Sequence, residues 1–90
     1  MTLETDHNEQ IIFGTECDLH HFHPKDTKLV VLEFLKQAKE AQYRSIRLVH
    51  GKGKSVKKKQ AHAILDSHPN VESYNDDSYN WGATIIHLKK

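Results

Sequence analysis

One cysteine, two prolines and four glycines are the only cross-link candidates and chain breakers in this 90-residue sequence. Cys17 has no partner for an intramolecular disulfide, so the fold must rest on its own core. No apolar run approaches the roughly 20 residues that span a bilayer. The opening Met1-Thr2-Leu3-Glu4-Thr5-Asp6 lacks a basic flank followed by an apolar block, so it does not read as a signal peptide. A soluble cytoplasmic protein without a membrane partner is expected. A single domain is expected of this length, which lies near the lower limit for one unaided core.

Net charge is +1, but it is unevenly spread. Residues 1–42 hold four lysines against eight acids, a net of −4, whereas residues 43–90 hold nine Lys or Arg against four acids, a net of +5. Five of those nine are Lys52, Lys54, Lys57, Lys58 and Lys59. Such a run is either a solvated helix face or an anion-facing cluster, and what adjoins it decides. What adjoins it is Val49-His50-Gly51-Lys52-Gly53-Lys54-Ser55, which reads as a strand end, a glycine loop and a helix start. Glycines let backbone approach an anion, and the first amides of a helix have no intrahelical partner. Gly51, Lys52, Gly53 and Lys54 are therefore candidate phosphate ligands, with Lys57, Lys58 and Lys59 behind them.

The remaining pattern is that of one α/β domain. Residues 1–10 are polar and aperiodic and read as a tail; 11–90 form the domain. Ile11-Ile12-Phe13 would cover an exposed part of the sheet. Glu16 to His20 reads as a first strand whose alternation puts Cys17 and Leu19 on one face, Asp18 and His20 on the other. Pro24 suits a helix start. Val31, Phe34, Leu35, Ala38 and Ala41 then mark an amphipathic helix to about Gln42. Ser45 to Val49 is a buried strand, Ser55 to Ser67 a second helix with Val56, Gln60, Ala63, Ile64 and Ser67 inward, and Pro69 its stop. Val71 to Tyr74 and Ala83 to Leu88 are two more strands. The order βαβαββ with right-handed crossovers gives a two-layer sandwich: a mixed four-stranded sheet with both helices on one face. Asp18, His20 and His50 would then meet at the carboxyl ends of neighbouring parallel strands.

These residues carry a family resemblance. Cys17-Asp18-Leu19-His20 resembles the Leu-Asp-x-His motif of Smr (small MutS-related) domains, and His50-Gly51-Lys52-Gly53 matches their His-Gly-x-Gly motif. Ser67-His68-Pro69-Asn70-Val71 and Gly82-Ala83-Thr84-Ile85-Ile86 are also similar, so the likeness covers roughly residues 15–90. It implies the fold of the C-terminal domain of a bacterial translation initiation factor, and endonuclease or nicking activity on RNA or DNA. Some relatives act in recombination control, and others cut messenger RNA on stalled ribosomes. Two positions depart from the pattern: Cys17 replaces the usual leucine, and His21 stands where the family has glycine.

Phosphodiester cleavage needs a base, an acid and positive charge for the phosphoryl oxygens. Asp18 would orient His20, His50 would act as the second acid or base or as a phosphate donor, and the loop would hold phosphate. On RNA the 2′-hydroxyl serves as nucleophile without metal; on DNA a water must attack, for which Mg2+ or Mn2+ would be the cofactor. The alternative is a non-catalytic nucleic-acid or ribosome-binding module using the same loop. A third class, a phosphate-metabolite enzyme, would need a deep closed pocket. His20-His21-Phe22-His23 lacks a cysteine partner at ligand spacing, so no structural zinc site is expected. Gly53-Lys54-Ser55 imitates the end of a Walker loop, but Leu48 stands where its first glycine belongs. His7, His62, His68 and His87 read as surface or cap residues, and Tyr74, Tyr79 and Trp81 serve either base stacking or packing.

Overall fold

The computed structural model describes residues 11–51, 56–78 and 82–90. Four strands, β1 (Glu16–Asp18), β2 (Ser45–Val49), β3 (Val71–Asp76) and β4 (Ala83–Leu88), and two helices, α1 (Thr27–Glu40) and α2 (Val56–Ser67), follow the βαβαββ order. The sheet order is β1-β2-β4-β3; β1 and β2 are parallel, while β4 runs antiparallel to both its neighbours. The fold is the expected two-layer α/β sandwich with a mixed sheet. The tail assigned to residues 1–10 lies outside the described residues.

Strand alternation decides the core. Cys17, Ile46, Leu48, Ile86 and Leu88 pack beneath Val30, Val31, Phe34, Leu35 and Ala38 of α1 and Ala61 and Leu65 of α2. Each large side chain removed from water there stabilises the domain by about 1.5–3 kcal/mol before entropy is counted. On α1 the expected inward stripe holds as far as Ala38, whereas Ala41 lies past the helix end and is exposed. The end is a Schellman closure: Tyr43 N–H donates to Ala38 O at 3.0 Å, Gln42 N–H to Lys39 O at 3.0 Å, and Gln42 takes the left-handed φ of 62°.

Three expectations need correction. The inward face of α2 is Ala61 and Leu65, flanked by half-buried Lys57, Ile64 and His68, while Val56, Gln60, Ala63 and Ser67 face water. The aliphatic stem of a lysine occupies the first inward position, and counting only apolar letters rotated the face. Phe13 packs on α1 and the adjoining turn, 5.5 Å from the Phe34 ring and 6.0 Å from Phe22, leaving Ile12 exposed. Finally, β1 stops at Asp18, and Leu19–His21 form a single 3-10 turn. Asp18 ends the strand because its carboxylate accepts the His20 backbone N–H at 2.9 Å, as a cap does.

Candidate active site

The parallel pairing sets Asp18 of β1 beside Val49 of β2, so the residues following each strand emerge at one end of the sheet. Asp18 Oδ1 accepts a second hydrogen bond, from His20 Nδ1 at 2.9 Å. A carboxylate only accepts, so Nδ1 carries the proton and Nε2 of the neutral ring keeps its lone pair. Asp18 and His20 are thus brought together by a capping turn, not by the alternation expected of a longer strand. Burial alone would raise the Asp18 carboxyl, but the His20 amide, its ring and the nearby His21 outweigh this and hold it below the usual 3.8. Its neighbour Cys17 goes the other way. Burial and the Asp18 charge push that thiol up to about 12, so it stays protonated and has no nucleophilic role.

Gly51 joins the two motifs. A β-carbon built there would stand 2.8 Å from His20 Nε2, and its φ is +97°. Any other residue would be strained and would also displace the imidazole. The backbone N–H groups of His50 and Gly51 both donate to Gly82 O at 2.9 Å, fixing the loop start against the entry to β4.

His50 follows Ile46 and Leu48 onto the helix-covered side and is 2% exposed. Its Nδ1–H donates to Gly51 O at 3.1 Å, which leaves Nε2 as acceptor for the Thr84 hydroxyl at 2.7 Å. Thr84 Oγ1 in turn accepts from His62 Nε2–H at 2.9 Å. One hydroxyl proton therefore sets the tautomers of two histidines. Burial, then the nearby positive charges, lowers the pKa of His50, and burial first also lowers that of His62. The shared opening expected for both imidazoles is not what forms. His20 is 58% exposed and meets Gly51 from outside, whereas His50 holds the same glycine from within.

The lysine run divides. Lys57 Nζ donates to Leu19 O at 2.8 Å and Phe22 O at 3.0 Å, so two of its donors clamp the turn that carries His20. Lys58 lies 3.5 Å from Asp76 Oδ1, and Lys59 is exposed. Lys52, Gly53 and Lys54 lie outside the described residues, as do Tyr79 and Trp81. His21 is 78% exposed with Nε2 3.8 Å from Asp18 Oδ2. Among the described residues, no three His, Cys, Asp or Glu side chains are grouped to hold a metal ion. No described helix is long and apolar enough to cross a membrane.

Thr84 and His62 were missed by sequence reading. His62 reads from the sequence as a surface or cap residue, and no spacing in the chain links it to Thr84 twenty-two positions away. Tyr74 packs its ring 4.7 Å from His62 and donates to Asp66 Oδ1, a packing role.

A two-layer βαβαββ sandwich carrying an Asp-x-His turn against a His-Gly loop defines a recognisable class. A family model described as Smr domain matches residues 17–89, and the chain belongs to the Smr domain family. The Endonuclease MutS2 of Halalkalibacterium halodurans is 32% identical over 77 residues, covering 82% of this chain and 10% of that protein. That of Brevibacillus brevis is 34% identical over 77 residues, again covering 82% and 10%. The chain spans only that tenth of these relatives' length. The crystal structure of the Smr domain of Thermus thermophilus MutS2 matches with a TM-score of 0.79 at 26% identity, covering 84% of this chain and 99% of that one. YdaL, a stand-alone small MutS-related protein from Escherichia coli, shares the fold, with a TM-score of 0.72 at 20% identity over 84% of this chain and 65% of its own.

Proposed function

We propose that this domain binds nucleic acid and cleaves its phosphodiester bonds, with Asp18 and His20 as the acting pair. The observation that carries this reading is the placement of His20: Nδ1–H on Asp18, and Nε2 directed at Gly51. Nε2 would take the proton of the attacking hydroxyl or water, Asp18 would stabilise the imidazolium that results, and the departing oxygen would take its proton from solvent water at this exposed site. The exposure of the pair suits a polymeric substrate better than an enclosed metabolite. We assign His50 a positioning role, since its ring is buried and holds the Gly51 carbonyl. Phosphate would lie on the loop from Gly51, with Lys52, Gly53 and Lys54 as ligands and Lys58 and Lys59 adding charge. The MutS2 relatives are named endonucleases, which supports the same activity here.

One observation favours the second reading, a binding module without cleavage. His21, where the family has glycine, stands exposed beside the pair with its Nε2 3.8 Å from the second Asp18 oxygen, so it crowds the rim a substrate would approach. Incubation with labelled single-stranded RNA and with circular duplex DNA separates the two readings, with Mg2+, with Mn2+ and with chelator. Cleavage by the wild type, reduced at least tenfold in Asp18→Asn with affinity retained, is the expected result. Binding without cleavage under every condition would leave the module reading.

A further inference from the structure

At the opposite end of the sheet from Asp18 and Gly51, a cleft of about 440 Å³ opens between the C-terminus of α1 and the starts of β2 and β3. Its lining includes Lys39, Arg44, Lys89 and Lys90, and no acidic residue. The nearest acids, Glu40 and Glu72, line adjoining hollows. The cleft wall is tied by the backbone: Leu88 N–H donates to Arg44 O and Lys89 N–H to Asn70 O, both at 2.9 Å. None of the four cations forms an ion pair among the described residues.

The charge continues along α1. Its exposed charged side chains are Lys28, Lys36, Lys39 and Glu40. At about 100° per residue the three lysines fall within an arc of about 80°, and they extend over about 16 Å of helix. This helix begins beside the turn that carries His20 and ends at the cleft. Charge counting along the chain hid the stripe, because the first 42 residues are acidic in sum. Of the described acids among them, Asp18 pairs with His20, Glu16 with Arg47 and Glu33 is buried, while Asp26 shares a hollow with Lys25 and Lys28 and Glu40 is exposed beside Lys39.

We propose that Lys28, Lys36, Lys39, Arg44, Lys89 and Lys90 form a phosphate track that holds a nucleic-acid strand along α1 and into the far cleft, away from the site that would cut it. The proposal rests on the nucleic-acid-binding reading above and adds a second contact region to it. A spread of about 16 Å exceeds what one phosphate reaches but matches about five nucleotides at 3.4 Å rise per strand. The track would fix direction and minimum length, because only a strand longer than that touches both regions.

The test uses the full chain and a labelled 12-nucleotide single-stranded RNA, titrated across KCl concentration. Replacing Lys39, Arg44, Lys89 and Lys90 together by Gln should weaken binding at least tenfold at low salt. It should also reduce the slope of log K against log salt by about 3, at about 0.7 per lost contact. All four are exposed at loop or helix ends, so folding should persist, which circular dichroism checks. Bound RNA should also protect Lys36, Lys39 and Lys89 from an amine-acetylating reagent. A wild type that binds no RNA sinks this proposal together with the function reading. Wild-type binding with an unchanged slope in the variant, or with those lysines fully acetylated, overturns the track alone. Equal competition by polyglutamate would overturn it too, by assigning the stripe to an acidic protein partner.

Discussion

His20 and His50 follow the ends of neighbouring parallel strands, yet they occupy opposite chemical situations. One is exposed, charged at its back by a carboxylate and directed outward over Gly51; the other is buried, neutral and tied to a hydroxyl and a carbonyl. The same side chain serves as an instrument in one place and as a strut in the other. Environment, not residue type, makes the assignment.

The sharpest way to break that contrast is to remove each ring in turn. His20→Ala should lower cleavage by about a hundred- to ten-thousandfold while leaving the urea midpoint nearly unchanged. His50→Ala should do the reverse, costing about 2–4 kcal/mol of stability through the cavity and the partners it strands. A His50→Ala protein as stable as wild type but inactive would show that His50 takes part in the chemistry. Gly51→Ala tests the point where the two rings meet. Its φ of +97° and the 2.8 Å approach to His20 Nε2 should cost about 1–3 kcal/mol. Displacing the ring by about an ångström should also slow cleavage by up to about a hundredfold. Normal activity in that variant would mean His20 works from another position.

Lys57→Met is a subtler probe of the exposed side. The stem stays and the donors go, freeing the Leu19 and Phe22 carbonyls, at a cost of about 1–2 kcal/mol. kcat should fall several-fold with little change in substrate affinity. A loss of affinity with kcat intact would restore Lys57 to the phosphate ligands.

The smallest effect is on pH. His50, His62 and His68 all have pKa values lowered in the fold, by burial first. The unfolded chain therefore binds protons more readily, so their contribution is complete above about pH 6.5 and is lost as pH falls through the folded values. The urea midpoint should decline from pH 7 to pH 5, and less steeply in His62→Gln. Asp18 acts in the same direction but only near and below its ordinary 3.8, outside this window.

Periodicity was enough to place both helices and all four strands, and with crossover handedness it set the ends of β1 and β2 side by side; it did not give the capping turn that pairs Asp18 with His20, nor the burial of His50. It failed where a polar side chain performs an apolar or capping task. Asp18 shortened β1 by satisfying a backbone amide, and Lys57 turned α2 by burying its stem. Thr84 carried no sequence signal because its importance lies in two partners, His50 and His62, drawn from different elements. The basic face of α1 was invisible to charge sums for the same reason: which acids are neutralised, and where, is a property of the fold.

Cys17 gives the domain a built-in clock. It is the only thiol in the chain, is 2% exposed, and lies next to Asp18 in a three-residue strand at the sheet edge. A thiol reagent can reach it only when that edge opens. Its labelling rate under native conditions therefore times how often the strand bearing Asp18 lets go of β2, separately from global unfolding. Each excursion carries the Asp18–His20 turn away from Gly51, so the same measurement reports how often the proposed site comes apart.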